Sequence, residues 1–220
     1  MITIYYYQIS QNAHAGLIQK YLSNFPVEFQ ERIQRFRRWE DAQLSLSGRL
    51  LLQYALQKHA KLAHFDWNSL SYTSYGKPYL DTSELHFNIS HSGTIVACAL
   101  TTGIKIGIDM EQMRPIDVED FKRQMTNNEW QYVNTAENQL QAFYEYWTKK
   151  EAVIKADGKG MSIPLLSFEI QNNTTLVHSE KFYTKRIALS ENYMCHIACN
   201  KEIDATDINL IEIPDLTAKI

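Results

Sequence analysis

The sequence predicts an α+β fold, because two hydrophobic periodicities take turns along it. Leu85, Phe87 and Ile89 alternate with His86, Asn88 and Ser90, the period-two pattern of a half-buried strand. Phe29, Ile33 and Phe36, and later Leu140, Phe143, Tyr144 and Trp147, recur at the spacing of one helix face. Turn pairs such as Ser92-Gly93, Thr102-Gly103 and Asn172-Asn173 separate the strand-like stretches.

Residues 2 to 9 read as an opening strand, and Pro26 stands in the first turn of a helix. Helical pattern then runs to about Lys61. Between these two residues basic side chains outnumber acidic ones seven to four, so this face looks onto solvent or a phosphate. After the strand at 85–90, the apolar run from Ile95 to Leu100 reads as a central strand. Ile104 to Met110 follows the next turn, which makes a three-stranded antiparallel meander the simplest topology. Thr135 is expected to cap a helix with Glu137 in its first turn, and Gly158 to stop it. Strand-like stretches recur near 167–171, 182–188, 193–199 and 208–213, so the second half is also α+β.

With 220 residues, 45% of them hydrophobic, the chain can bury a sizeable core. A net charge of -3 gives no whole-chain preference for nucleic acid, and no apolar run is long enough to cross a bilayer. Three cysteines without disulfide-like spacing and no signal peptide point to a cytoplasmic setting. Cys195, His196 and Cys199 fall on a strand pattern without a second ligand pair, which favours core packing over a metal cluster.

Three short stretches carry candidate chemistry. In the segment 106–111, strand alternation sends Ile106, Ile108 and Met110 to one face and Gly107, Asp109 and Glu111 to the other. Two carboxylates on one face repel unless a cation or basic partner lies between them, and hard oxygen donors suit magnesium. Gly107 leaves room beside them for a ligand. In the helix, Trp147, Glu151 and Lys155 recur every four residues along one stripe, which a simple Glu–Lys helix pair would also explain. The third stretch joins Gly76-Lys77-Pro78 to Phe87-Asn88-Ile89-Ser90-His91-Ser92-Gly93, and offers a lysine, hydroxyls, an imidazole and turn N–H groups to a phosphate.

In this order and spacing the blocks resemble the Sfp-type 4'-phosphopantetheinyl transferases. The resemblance implies two similar α/β halves related by a pseudo-twofold axis, residues 1–103 and 104–220 with the midpoint near Gly103, and coenzyme A in the cleft between them. It implies a monomer that moves the phosphopantetheine arm of coenzyme A to a serine of an apo acyl- or peptidyl-carrier protein and releases adenosine 3',5'-bisphosphate. Asp109, Glu111 and Glu151 would then hold Mg2+, and Lys155 would address the pyrophosphate. Lys77, Ser90 and His91 would contact the 3'-phosphate beside Pro78, with Arg32, Ser45 and Arg49 as further cofactor contacts. Phe29-Gln30 stands where some members carry another lysine. Glu151 is the first choice for the base that takes the serine proton, and Glu129 the second. The carrier is expected to dock near Met125 to Tyr132, with Met125, Trp130 and Tyr132 as apolar contacts.

Two other functions compete with this one. A magnesium-dependent transferase acting on a nucleoside triphosphate lacks its Gly-x-x-x-x-Gly-Lys-Ser/Thr loop here. A non-catalytic module that binds coenzyme A or a carrier protein would have no need of three carboxylates beside an anionic ligand.

Overall fold

The computed structural model describes residues 1–59, 65–81 and 84–218. Its elements are β1 (Ile2–Gln8), α1 (Gln11–Tyr21), α2 (Val27–Arg35), α3 (Trp39–His59), β2 (Leu70–Tyr72), β3 (Pro78–Leu80), β4 (Leu85–Ser92), β5 (Ile95–Thr102) and β6 (Ile106–Gln112). There follow α4 (Asn127–Thr135), α5 (Gln139–Asp157), β7 (Thr174–Val177), β8 (Glu180–Arg186), β9 (Tyr193–Cys199) and β10 (Ile208–Glu212). The fold is mixed α+β. Lys61, where the helical pattern was expected to end, lies outside the described residues.

The strands form two four-stranded sheets and one small hairpin. The first sheet has the order β10-β1-β5-β4, the second β6-β9-β8-β7, and β2 pairs with β3 alone. The expected three-stranded meander is therefore corrected: β4 and β5 form an antiparallel hairpin, whereas β6 leaves for the second sheet and pairs with β9. The physical reason lies in the side chains of β4. Asn88, Ser90 and Ser92 project from one face of this edge strand and accept the backbone N–H groups of Ile108, Met110 and Gln112 at 2.9, 3.2 and 3.1 Å. Period-two side chains thus take the place of a backbone ladder and leave β6 free to join the other sheet. The last strand returns to the first sheet, where β10 lies parallel to β1.

Alternation also builds the layers. Ile2 and Ile4 of β1, with Ile95, Ala97 and Ala99 of β5, meet Ile106, Ile108 and Met110 of β6 between the sheets. The opposite face of the first sheet carries Tyr5, Val96, Cys98 and Leu100 against the leucines of α3. Across the molecule, Ala152, Val153 and Ala156 of α5 pack on Phe182 and Ala198. His196 is buried and its Nδ1 lies 2.8 Å from the Thr148 hydroxyl of α5. Burial pushes its pKa down to about 3, so it is neutral. Cys195 and Cys199 are buried in the core, as their pattern suggested.

Two helix boundaries differ from expectation. Thr135 ends α4 instead of capping α5, and Asn138 caps α5 by accepting the Gln141 N–H. Thr126 and Glu129 form a reciprocal capping box at the start of α4, and Ala136-Glu137 lies between the two helices. Gly158 does end α5, at φ 92°, the left-handed value that glycine adopts most easily. Residues 167–171 form no extended strand; the short β7 follows them instead.

Candidate active site at the seam between the sheets

β6 and α5 place the acidic residues. Asp109 and Glu111 leave β6 on the side facing away from the inter-sheet core, as alternation requires. α5 crosses this face closely: a Cβ on Gly107 would sit 2.1 Å from the Ala152 carbonyl oxygen. The space beside Gly107 therefore belongs to the helix backbone and not, as its sequence suggested, to a ligand. That close approach brings Lys155 Nζ to 2.5 Å from Asp109 Oδ1 and 3.2 Å from Ser90 Oγ. Ser92 donates to Glu111 Oε2 at 2.6 Å.

The charges at this seam are frustrated. Glu111 and Glu151 both have raised pKa values, first because burial disfavours the charged carboxylate and then because the other acids, Asp109 among them, repel it; Lys155 acts in the opposite direction. Asp109 is buried, and its Oδ2 has no hydrogen-bond partner. A buried lone pair without a donor beside two strained carboxyls is a set of hard oxygens that a divalent cation fits. Among the described residues, however, no three His, Cys, Asp or Glu side chains are gathered around one point. Asp109 is turned onto Lys155 and Glu111 onto Ser92, so the acids meet through their fields and not as a closed coordination shell.

On the other face of β4, Phe87, Ile89 and His91 line a cavity of about 270 Å³ with Arg32, Ser45, Arg49, Tyr72, Gly76 and Pro78. Five of the expected cofactor contacts are thus brought together: Arg32, Ser45, Arg49, Pro78 and His91. Arg32 donates to Ser45 Oγ at 3.4 Å and Arg49 to the Tyr72 hydroxyl at 2.7 Å. Both guanidiniums lie against the Phe29 ring, at 4.9 and 4.6 Å from its centre. Arg32's pKa is lowered, by burial first and then by Arg49. Two like charges held together at an open cavity suit an anion. His91 lines this cavity, and the charge of Lys155 acts to lower its pKa after the larger effect of the ring's packing, which links the cavity electrostatically to the seam.

Three expected residues have other partners. Ser90 does not share a ligand with His91, because adjacent strand residues point to opposite faces. Its hydroxyl is buried at the seam, where it donates to Asp109 and accepts from Met110 N–H and Lys155. Lys77 Nζ donates to the carbonyls of Lys155, Ala156 and Ile106 at 2.6, 3.0 and 3.3 Å, so its three protons face the backbone and not a phosphate. Glu129 gives one oxygen to its own capping box and the other to the buried Lys150 ammonium at 2.6 Å. Of the expected docking residues, Met125 is buried, Trp130 is half-buried and Tyr132 alone is exposed.

Sequence patterning did not single out Asn88 or Ser92 for the seam, nor Tyr72 for Arg49, nor Lys150. The first two had a legible signal, since polar residues at 88, 90 and 92 share one face of a strand whose other face is needed elsewhere. Lys150 had none. It looks like any helix-surface lysine until the Leu165 and Phe168 carbonyls are seen to wrap its ammonium.

The fold is mixed α+β, with an acidic seam on one face of β4 and a basic cavity on the other. Residues 14–103 match the family model described as 4'-phosphopantetheinyl transferase, N-terminal, and residues 105–202 that of the 4'-phosphopantetheinyl transferase superfamily. The chain is 36% identical over 156 residues to the 4'-phosphopantetheinyl transferase Sfp of Bacillus subtilis (strain 168), covering 70% of this chain and 69% of that one. It is 35% identical over 173 residues to another 4'-phosphopantetheinyl transferase of Bacillus subtilis, covering 76% and 75%. Over 160 residues it is 34% identical to the L-aminoadipate-semialdehyde dehydrogenase-phosphopantetheinyl transferase of Rattus norvegicus, covering 66% of this chain and 50% of that one. The chain belongs to the 4'-phosphopantetheinyl transferase family.

Proposed function

We propose that this protein transfers the 4'-phosphopantetheine arm of coenzyme A to a serine of an apo acyl- or peptidyl-carrier protein, with Asp109, Glu111 and Glu151 holding Mg2+. The observation that carries this reading is the juxtaposition of two unlike sites across β4: a cavity with two guanidiniums on one face, and an acidic seam with Lys155 on the other. A nucleotide phosphate in the cavity would leave the pyrophosphate to reach the seam past His91. Membership in the family supports the same chemistry.

Arg32, Ser45 and Arg49 would bind the 3'-phosphate, with Pro78 and His91 lining the same cavity. Lys155 would turn from Asp109 to the pyrophosphate and oppose the charge that grows on the departing oxygen. A bound magnesium ion would neutralise further charge on the pyrophosphate. Glu151 would take the serine proton, directly or through water. Glu129 is not needed for that step, because the Lys150 pair and the helix cap occupy it. Residues 1–103 and 104–220 would be the similar halves, with β10 of the second reaching back to pair with β1 of the first, and the protein would act as a monomer in the cytoplasm. Among the described residues no helix is long and apolar enough to cross a membrane.

The test is incubation with coenzyme A, magnesium and several apo carrier proteins, followed by intact mass. Addition of one phosphopantetheine to the carrier serine is expected. No mass change on any carrier would sink the proposal.

A further inference from the structure

Lys77 comes from the hairpin that lines the nucleotide cavity, yet its ammonium reaches the opposite side of the seam. The hairpin is closed by Thr73 N–H to Lys77 O at 2.9 Å and Gly76 N–H to Thr73 O at 2.9 Å, with Gly76 at φ 81°. Thr73 Oγ1 accepts the Lys77 N–H at 3.1 Å, which fixes where the side chain starts. Pro78 begins β3, so the backbone on both sides of Lys77 is constrained.

From there the side chain runs across Gly158. A Cβ on that glycine would lie 2.8 Å from Lys77 Cδ, so the missing side chain at the helix stop is also the passage for the lysine stem. At the end of the passage stand carbonyls that a helix terminus leaves without an intrahelical donor. Gly158 N–H takes the Ile154 carbonyl at 2.9 Å, and Lys77 takes those of Lys155 and Ala156. The same ammonium also reaches the Ile106 carbonyl, at the start of the strand that carries Asp109 and Glu111. One cation thus ties a cavity hairpin to both elements that bear the acids and Lys155.

We propose that Lys77 is a positioning residue for Lys155: it fixes the last turn of α5 so that the Lys155 ammonium is held at the reacting phosphate. The proposal rests on the transferase reading above, and it replaces the expected contact between Lys77 and the 3'-phosphate. The two roles differ in what they demand of the substrate. A 3'-phosphate contact matters only while that phosphate is present. A positioning residue acts on the reacting centre whether or not it is there.

The test measures full-length wild type and Lys77→Met with coenzyme A and with 3'-dephospho-coenzyme A, using an apo carrier as acceptor. Expected is a fall in kcat of about tenfold or more, equal within about twofold on the two substrates, with KM little changed. In a Lys155→Met background, removing Lys77 should cost about twofold or less, since residues acting as a unit are not additive. Lys77→Arg, which keeps a cation for the carbonyls, should recover part of kcat. A defect confined to KM and present only with coenzyme A would overturn the proposal and restore the phosphate contact, as would full additivity with Lys155→Met. Should Lys77→Met fail to fold, Gly158→Ala displaces the stem while leaving the lysine in place. It should lower kcat alike on both substrates, and an unchanged kcat would contradict the role. Absence of transfer by the wild type itself would instead strike the transferase reading.

Discussion

Lys155 Nζ and Asp109 Oδ1 stand 2.5 Å apart across the packing of α5 on β6, with the Ser90 hydroxyl bonded to both. Asp109 retains an unpartnered buried oxygen, and burial with carboxylate repulsion raises the pKa of the nearby Glu111 and Glu151. The Lys155 ammonium contacts Asp109 and acts through its field on Glu111 and Glu151, and Arg114 adds its charge at Glu111.

Removing one of the carboxylate charges should stabilise the resting protein. Burial first, then Asp109 and Glu111, raise the Glu151 pKa, so its ionised form is disfavoured in the fold. For an acid raised on folding, the penalty is absent at low pH and grows as pH rises from the ordinary carboxyl value through the folded one. Glu151→Gln should therefore melt above the metal-free wild type at pH 7, and this margin should shrink toward pH 4 in a thermal melt series. A lower Tm at pH 7 would contradict the repulsion.

The Lys150–Glu129 pair should behave in the opposite way. Lys150 is buried and the half-buried Glu129 carboxylate lies 2.6 Å from its ammonium, so Glu129→Gln leaves a buried ammonium without its counter-charge. A loss of about 3–5 kcal/mol in chemical denaturation is expected. Where the variant is folded, transfer per folded molecule should stay near wild type, because both Glu129 oxygens have structural partners. A large fall in kcat of folded Glu129→Gln would restore it as the base.

The side-chain zipper between β4 and β6 predicts a cost at Asn88. Its Oδ1 is the partner of the buried Ile108 N–H. Asn88→Leu strands that donor and should cost about 1–3 kcal/mol in urea unfolding. No measurable loss would mean that the strands are joined by other contacts.

The guanidinium pair predicts a binding defect without a chemical one. Arg32→Ala should raise the KM for coenzyme A about tenfold and leave kcat little changed, as expected for a group that addresses a phosphate remote from the reacting one. The same variant should discriminate poorly between coenzyme A and its 3'-dephospho form. Wild-type discrimination between the two would place the phosphate elsewhere.

The elements that could be read from the sequence were those with local causes. The strand at 193–199 and the stop at Gly158 were written in alternation and in glycine. The acidic face of β6 followed from the same period-two rule. What escaped depended on distant partners: β6 carries the pattern of a third meander strand, but its backbone pairs with β9 while the Asn88, Ser90 and Ser92 side chains take its other N–H groups. Lys77 and Glu129 have residue types suited to phosphate binding and base catalysis, but carbonyls of α5 and the Lys150 ammonium claim them in the fold. Ser90 and His91 could have been separated from sequence, since neighbours on a strand cannot share a face.

The acidic seam is tested most directly by counting both products of one reaction. With coenzyme A, magnesium and an apo carrier, the wild type should release adenosine 3',5'-bisphosphate in equimolar amount with modified serine, while folded Glu111→Gln and Glu151→Gln should each release almost none. Near-normal release by either variant would contradict the seam as the reacting centre.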